Sequence, residues 1–183
     1  MSKPPRDRAV ASSNTYFVTI SAYQHQSLFQ RTPVAELFVA TLFPYREQNK
    51  FLIHEFVLMP NHVHLLLTPA RGVTLERSIQ FIKGGFSFRA GKELGMKNEI
   101  WQRGYVDHRI RNAADYEHHR KYIWSNPVKA HLSDNSEAFR QCSASGNFNL
   151  DPVPQGLKPV PSRSLNGTTE VVPSRTRSCA VEF

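Results

Sequence analysis

A β-hairpin over residues 51–69 is the feature that most constrains how this chain can fold. The sequence FLIHEFVLMPNHVHLLLTP holds two runs rich in apolar and β-branched residues, at about 51–58 and 62–68. Between the two runs, Met59-Pro60-Asn61 supplies residues that favour a tight turn. Two strands joined by so short a turn pair with each other in antiparallel fashion, so we expect an antiparallel sheet built around this hairpin.

Other strands and helices are predicted on both sides of the hairpin. The run TYFVTI at 15–20 predicts a strand, and apolar residues at helical spacing predict a helix from Pro33. A second helix is predicted from its cap, Thr74, and a bend or break is expected where Gly84-Gly85 interrupts it. Residues 100–110, IWQRGYVDHRI, predict one or two short strands.

A third helix completes the set. Asn112 is its expected cap, with Asp115 three residues further on in a variant of the capping box. The helix is expected to end at Asn126, because Pro127 disfavours helical geometry in the residue before it. The order strand, helix, hairpin, helix, strand, helix predicts an α+β layer with a largely antiparallel sheet.

Composition divides the chain into a central domain and two tails. The composition predicts a flexible arm at residues 1–13 and a folded domain at residues 14–142. From 143 to 183 the sequence is rich in proline and serine, with five prolines between 152 and 173, and it lacks hydrophobic periodicity. We therefore predict that residues 143–183 are disordered.

The charge of the chain favours a polyanionic partner. Lysine and arginine number 23 against 15 acidic residues, the net charge is +8 and the pI is near 9.8. Between 71 and 131 there are 12 basic and 6 acidic residues, so most of the excess lies there. Such a chain attracts nucleic acid, although small basic proteins without that function exist.

Several classes of protein are excluded by composition. The apolar runs are too short to cross a bilayer, and the charged N-terminal residues are not followed by the apolar stretch of a secretory signal. Cys142 and Cys179, the only cysteines, are too few for a cysteine-rich zinc site and suit a reducing compartment. We expect a cytoplasmic protein with no membrane partner.

Two histidines in the hairpin are candidate metal ligands. His62 and His64 lie two residues apart on a strand, so both imidazoles point to one face, while Val63 points to the other. Two neutral imidazoles on one face form half of a divalent metal site, or else they are two histidines on a solvated strand face. His54 on the neighbouring strand is more simply explained as packed or hydrogen-bonded.

The third helix offers groups that complement the two histidines. Asp115, His119, Tyr122 and Asn126 fall within a sector of roughly 60°, whereas the side that carries Tyr116 should face the core. A tyrosine hydroxyl, with its pKa of about 10, is a weak nucleophile until a metal polarises the phosphate that it attacks. The amide oxygen of Asn126 would add a hard third ligand suited to Mg²⁺ or Mn²⁺.

These motifs together resemble a known family. MPNHVHLLL at 59–67 resembles the histidine-hydrophobic-histidine (HUH) motif of single-tyrosine transposases, and YIWSNPVKA at 122–130 resembles their tyrosine motif. IWQRGYVDHRI at 100–110 resembles the tryptophan-glutamine strand of the same family. The likeness is strongest to the REP-associated tyrosine transposases, which are IS200-like, and it covers about residues 15–132.

The resemblance implies a fold, a site and a reaction. It implies an RRM-like (ferredoxin-like) layer whose central antiparallel sheet is packed by helices. It implies that His62, His64 and Asn126 hold a divalent metal, Mg²⁺ or Mn²⁺, and that Tyr122 attacks DNA to form a covalent 5′-phosphotyrosine with a free 3′-OH. The substrates implied are single strands with folded hairpins, often repetitive extragenic palindromes.

Contacts to DNA are expected from basic residues around this site. Phosphate contacts by lysine and arginine give an affinity that is independent of sequence. The candidates are Lys83, Arg103, Arg109, Arg111, Arg120 and Lys121. Trp101 or Tyr105 could stack on bases, but core packing is the simpler explanation for Trp101.

Two other functions fit parts of the same pattern. A catalytically silent, domesticated descendant would bind hairpin DNA without cutting it, and an RNA-binding protein of similar fold would place aromatics on the sheet face. The four residues of the expected site favour the enzyme. We expect it to be associated with the nucleoid, and the lack of an obvious dimerisation element favours a monomer.

Overall fold

The fold is described here for residues 14–157 of a computed structural model. The residues of the predicted arm, 1–13, and the last part of the predicted tail, 158–183, lie outside this range. The strands are β1 (Tyr16–Ser21), β2 (Phe51–Met59), β3 (His62–Pro69) and β4 (Val106–Arg109). The helices are α1 (Thr32–Glu47), α2 (Leu75–Leu94) and α3 (Ala113–Lys129).

All four strands form one antiparallel sheet in the order β2-β3-β1-β4. The β2–β3 hairpin turns where it was predicted, with Met59 paired with His62. β1 then pairs with both β3 and β4, so the strand that carries the two histidines is internal to the sheet. The α+β class and the central antiparallel sheet are confirmed.

The two faces of the sheet pack against different helices. Helices α1 and α2 pack on one face, over a core that includes Val18 of β1 and Val63 and Leu65 of β3. Helix α3 packs on the other face, where Tyr116 and Ile123 are fully buried. The prediction that this side of α3 faces the core is therefore confirmed, and the opposite side of the helix is left to solvent.

The predicted break at Gly84-Gly85 does not occur, because α2 runs without interruption from Leu75 to Leu94. A Cβ atom on Gly85 would overlap the ring of Tyr45, which lies on α1. A glycine here lets the two helices approach closely, and this contact outweighs the helix-propensity cost of about 1 kcal/mol. At Gly84 a Cβ atom would meet nothing within 4 Å.

The predicted end of α3 at Asn126 is also wrong. The helix includes Pro127 and ends at Lys129. Pro127 is buried, and only a short stretch of helix follows it, after which the amide of Ala130 bonds the carbonyl of Asn126 at 3.0 Å. Pro127 has no N–H to bond the carbonyl of Ile123, so the helix lacks one hydrogen bond there, and burial of the proline ring offsets this loss.

The folded part extends beyond the predicted boundary at 142. The segment 141–151 follows the outer edge of β2: the Leu58 amide bonds the Gln141 carbonyl at 2.9 Å, and the Asp151 amide bonds the Ile53 carbonyl at 2.8 Å. The Asp151 carboxylate, with its side chain 1% exposed, pairs with Arg46 through two bonds of 2.6 and 3.1 Å. Residues 143–157 are thus part of the domain, and the prediction of disorder there is wrong.

None of the helices within residues 14–157 has the length and apolar character needed to span a membrane.

Candidate functional site

The two imidazoles of β3 converge on one point. Their Nε2 atoms lie 3.1 Å apart, and their ring centroids are separated by 4.6 Å. Two nitrogens bound about 2.1 Å from one metal ion lie about 3.0–3.4 Å apart at angles between a right angle and the tetrahedral angle. The spacing of His62 and His64 therefore suits two neighbouring ligands of one ion.

The outer nitrogens of the same rings are both occupied. His62 Nδ1 lies 2.6 Å from the side-chain amide oxygen of Asn61, which accepts a hydrogen bond from it. His64 Nδ1 lies 2.8 Å from the hydroxyl of Thr19 on the neighbouring strand. When both Nδ1 atoms carry the protons, both Nε2 atoms have lone pairs free to bind a cation between them. This is the arrangement of metal sites whose histidines donate their second N–H to an outer partner.

Burial keeps both imidazoles neutral, which is the form that binds metals. It lowers the pKa of His64 to about 3, with a smaller contribution from the neighbouring His62. The pKa of His62 is lowered as well, first by burial and then by the proximity of His25.

Tyr122 lies directly against this pair. Its ring meets the ring of His64 edge-on at a centroid distance of 5.2 Å, and the side chain is 40% exposed. Phe17 of β1 contacts both rings, with centroid distances of 5.2 Å to His64 and 5.7 Å to Tyr122. On the solvent side, the Lys129 ammonium is 5.7 Å from the centre of the Tyr122 ring. The strand and the helix thus bring the imidazole and the phenol together, although 58 residues separate them along the chain.

Asn126 follows Tyr122 by one helical turn and is half-buried on the same helix. With the paired Nε2 atoms it would complete a set of two nitrogens and one oxygen. Such a set fits a divalent ion, and an amide oxygen favours the harder ions.

Tyr116, the other tyrosine of α3, is unsuited to attack a substrate. Its side chain is fully buried, and burial raises its pKa. Its hydroxyl has no hydrogen-bond partner among residues 14–157.

The predicted DNA contacts fall into two groups. Arg103, Arg109 and Lys121 are exposed to solvent. The remaining three hold intramolecular partners: Lys83 bonds the carbonyls of Gln102 and Gly104, Arg111 binds the Asp115 carboxylate, and Arg120 pairs with Glu117 and covers the Trp124 ring.

Trp101 is packed, as its simpler explanation predicted. Its ring lies within 6 Å of the rings of Phe29, Phe38 and Phe86, and its indole N–H donates to the carbonyl of Lys83. His54 is also packed and bonds Thr68 at 2.8 Å.

A second group of potential ligands was not predicted as a group. His108 of β4 and Asp115 and His119 of α3 place their ligand atoms within 4.8 Å of one another. Asp115 and His119 were recognised on the helix face, but His108 lies on a four-residue strand whose pattern is too short to fix which way its side chains point.

Comparison with known proteins identifies the family. The family model described as Transposase IS200 like matches residues 9–126, which is more than half of the chain. The chain belongs to the IS200-like transposase family. Among curated proteins, this transposase is 32% identical over 123 residues to a REP-associated tyrosine transposase of Escherichia coli K12, an alignment that spans 67% of this chain and 71% of the relative.

Two further matches agree with this assignment. A putative REP-associated tyrosine transposase of Haemophilus influenzae is 33% identical over 82 residues, which cover 39% of the transposase described here and 47% of the relative. A solved structure of a REP-associated tyrosine transposase bound to a REP hairpin superposes with a TM-score of 0.61 and 24% identity, covering 88% of this chain and 96% of that one. The latter shows that the two folds are alike.

Proposed function

We propose that this transposase cleaves and rejoins single-stranded, hairpin-bearing DNA through a covalent 5′-phosphotyrosine on Tyr122. The proposed metal ligands are His62, His64 and Asn126, and the proposed ion is Mg²⁺ or Mn²⁺. The observation that carries the proposal is the edge-on contact between Tyr122 and His64, whose Nε2 points at that of His62.

The position of Tyr122 suits nucleophilic attack. Its ring is held by contacts with Phe17 and His64 while its side chain remains 40% exposed, so the phenol is both oriented and open to a substrate. A phosphate placed beside the paired imidazoles would lie within reach of this hydroxyl. Lys129 adds a positive charge next to the ring, where the anionic DNA backbone would approach.

The reaction conserves the number of phosphoester bonds. The Tyr122 oxygen forms a bond to phosphorus and the bond from phosphorus to the 3′ oxygen breaks, while the phenol loses its proton and the 3′ oxygen gains one. When bound, the metal would polarise the phosphate and offset the negative charge that develops on its oxygens. A 3′-OH, from the same or another strand, can then attack the phosphotyrosine and restore Tyr122, so no external energy source is needed.

The proposed substrate rests on the relatives and on the charge of the chain. A relative of the same fold was solved bound to a REP hairpin. The net charge of +8 and the exposed Arg103, Arg109 and Lys121 suit a polyanion. We extend the hairpin substrate to this chain on these grounds.

A covalent-adduct assay tests the proposal. The full chain is incubated with end-labelled single-stranded DNA that carries a REP-like hairpin, with Mn²⁺ or Mg²⁺, and is then run on a denaturing gel. We expect a slow-migrating adduct that disappears with Tyr122→Phe or with chelator and persists with the matched control Tyr116→Phe, which removes a buried hydroxyl from the same helix. An adduct that survives Tyr122→Phe would refute the assignment of the nucleophile. Hairpin binding without an adduct would instead favour the catalytically silent DNA-binding protein.

A further inference from the structure

The cluster of His108, Asp115 and His119 is separate from the proposed catalytic site. The Phe17 ring lies between the two, with its centroid 4.7 Å from that of His119 and 5.2 Å from that of His64. The proposed transposition chemistry uses none of the three residues. They join two elements, because His108 lies on β4 and the other two lie on the first turns of α3.

The distances within the cluster are those of ligands that share an ion. His108 Nε2 is 3.0 and 3.2 Å from the two carboxylate oxygens of Asp115, and His119 Nδ1 is 3.3 Å from Oδ1. The two imidazole rings are stacked, with their centroids 4.7 Å apart and an angle of 21° between their planes. Ligand atoms bound about 2.1 Å from one ion are about 3.0–3.4 Å apart, so the distances to Asp115 suit a shared ion, and the two rings must rotate out of their stack to direct both nitrogens at it.

The carboxylate of the cluster is fixed in the manner of a metal ligand. Its side chain is 9% exposed, and its Oδ2 accepts hydrogen bonds of 3.1 Å from both the backbone N–H and the Nε of Arg111. Although burial alone would raise the pKa of Asp115, the hydrogen bonds from His108 and Arg111 lower it overall. Carboxylates that bind metals are commonly held by such outer hydrogen bonds, and the Arg111 side chain is 72% exposed, so water screens its charge.

We infer that His108, Asp115 and His119 form a second metal site, which takes Zn²⁺ or a similar borderline ion and ties β4 to the start of α3. Two imidazoles and one carboxylate are a donor set for Zn²⁺, whereas Mg²⁺ prefers oxygen ligands. The His108 side chain is 39% exposed, which gives the ion a path from solvent. On binding, the proton of His119 Nδ1 moves to Nε2, and the bond of 2.8 Å from Nδ1 to the Asp115 carbonyl is exchanged for the ion.

The ion would stiffen the element that carries the nucleophile. Asp115 and His119 precede Tyr122 by seven and three residues on the same helix. A bond from this helix to His108 anchors its first turns to the edge strand of the sheet. Three protein ligands also leave at least one coordination position for water.

Zinc binding is tested in a chain without the proposed catalytic pair. The full-length His62→Gln/His64→Gln variant is titrated with Zn²⁺ against a chromophoric chelator, and we expect one Zn²⁺ bound per chain. Adding His119→Gln or His108→Gln should weaken that binding by about a hundredfold or more, since the loss of an outer partner alone costs 10–100-fold. The matched control His118→Gln changes an exposed neighbouring histidine and should retain full affinity.

Two further readouts keep the outcome clear if one variant folds poorly. Zn²⁺ should shift the ring NMR signals of His108 and His119, but not those of the exposed His131 just beyond the end of α3, and should raise the thermal midpoint of the catalytic-pair variant. Absence of zinc binding by that variant, or equal affinity with and without His119→Gln, would overturn the inference. Neither outcome bears on the Tyr122 adduct, so failure of this proposal and failure of the proposed function are distinguishable.

Discussion

Replacement of Asp151 by alanine should destabilise the domain severely, although the residue lies in a stretch that composition marks as disordered. The carboxylate accepts two bonds from Arg46, of 2.6 and 3.1 Å, and a third of 2.9 Å from the amide of Ile53. The side chains of Arg46 and Asp151 are only 8% and 1% exposed. Asp151→Ala would therefore leave a buried guanidinium without its anion and a backbone N–H without its acceptor.

The expected cost follows from this burial. Removing one partner of a buried ion pair destabilises a protein by about 3–5 kcal/mol, because the remaining charge is uncompensated. For a chain of this size, each 1 kcal/mol lowers the thermal midpoint by about 2–4 °C, so a decrease of about 6–20 °C is expected. Urea unfolding, monitored by circular dichroism, should show the same loss of stability as a lower midpoint urea concentration, with a similar dependence of the free energy of unfolding on urea.

Two further variants separate the buried pair from a general effect of mutation. Asp134→Ala removes an exposed carboxylate and should change the free energy of unfolding by less than about 0.5 kcal/mol. Arg46→Met combined with Asp151→Leu replaces the pair with apolar side chains and should recover part of the stability, because the Ile53 N–H still lacks its acceptor. If Asp151→Ala behaves like Asp134→Ala, the segment 143–157 does not contribute to the folded state and the reasoning is refuted.

Three other predictions concern packing, the metal ligands and pH. Gly85→Ala should lower the free energy of unfolding by about 1–3 kcal/mol through overlap with the tyrosine of α1, whereas Gly84→Ala, in open space, should raise it by up to about 1 kcal/mol in the same urea assay. Thr19→Val removes the partner of His64 Nδ1 and should weaken Mn²⁺ affinity about 10–100-fold in a calorimetric titration; unchanged affinity would exclude a supporting role. Burial lowers the pKa of His54, so on acidification this imidazole is protonated in the unfolded chain before it is protonated in the folded domain. The free energy of unfolding should therefore fall as the pH drops below about 6.5. In urea unfolding curves measured at a series of pH values, His54→Gln should reduce this pH dependence.

The hairpin and the catalytic candidates could be predicted because strong periodicity fixes them. Alternation in β3 determines that His62 and His64 share a face, and helical spacing determines that Tyr122 lies away from the buried Tyr116. The packing of α3 over that face of the sheet then brings Tyr122 to His64. The resemblance to the family predicts that the histidine motif and the tyrosine motif belong to one site.

The features that escaped prediction depend on single contacts between distant residues. Asp151 lies in a proline-rich stretch without periodicity, and the stretch is held by contacts with distant residues, such as the pairing of Asp151 with Arg46, 105 residues earlier. Gly85 interrupts the helical pattern, yet the tyrosine ring that needs the space lies on another helix. His108 joins Asp115 only once β4 has paired with β1. Local propensity carries no information about such partners.

The register of β3 restricts how this family member can change during evolution. Thr19 pairs with His64 and Ile20 with Val63, so each imidazole alternates with a side chain that fills the opposite core. Insertion or deletion of one residue before His62 would turn both imidazoles into the apolar layer beneath α1 and α2 and would expose Val63. Tolerated length changes should therefore concentrate in the loops, while the strand that holds the paired histidines keeps its length.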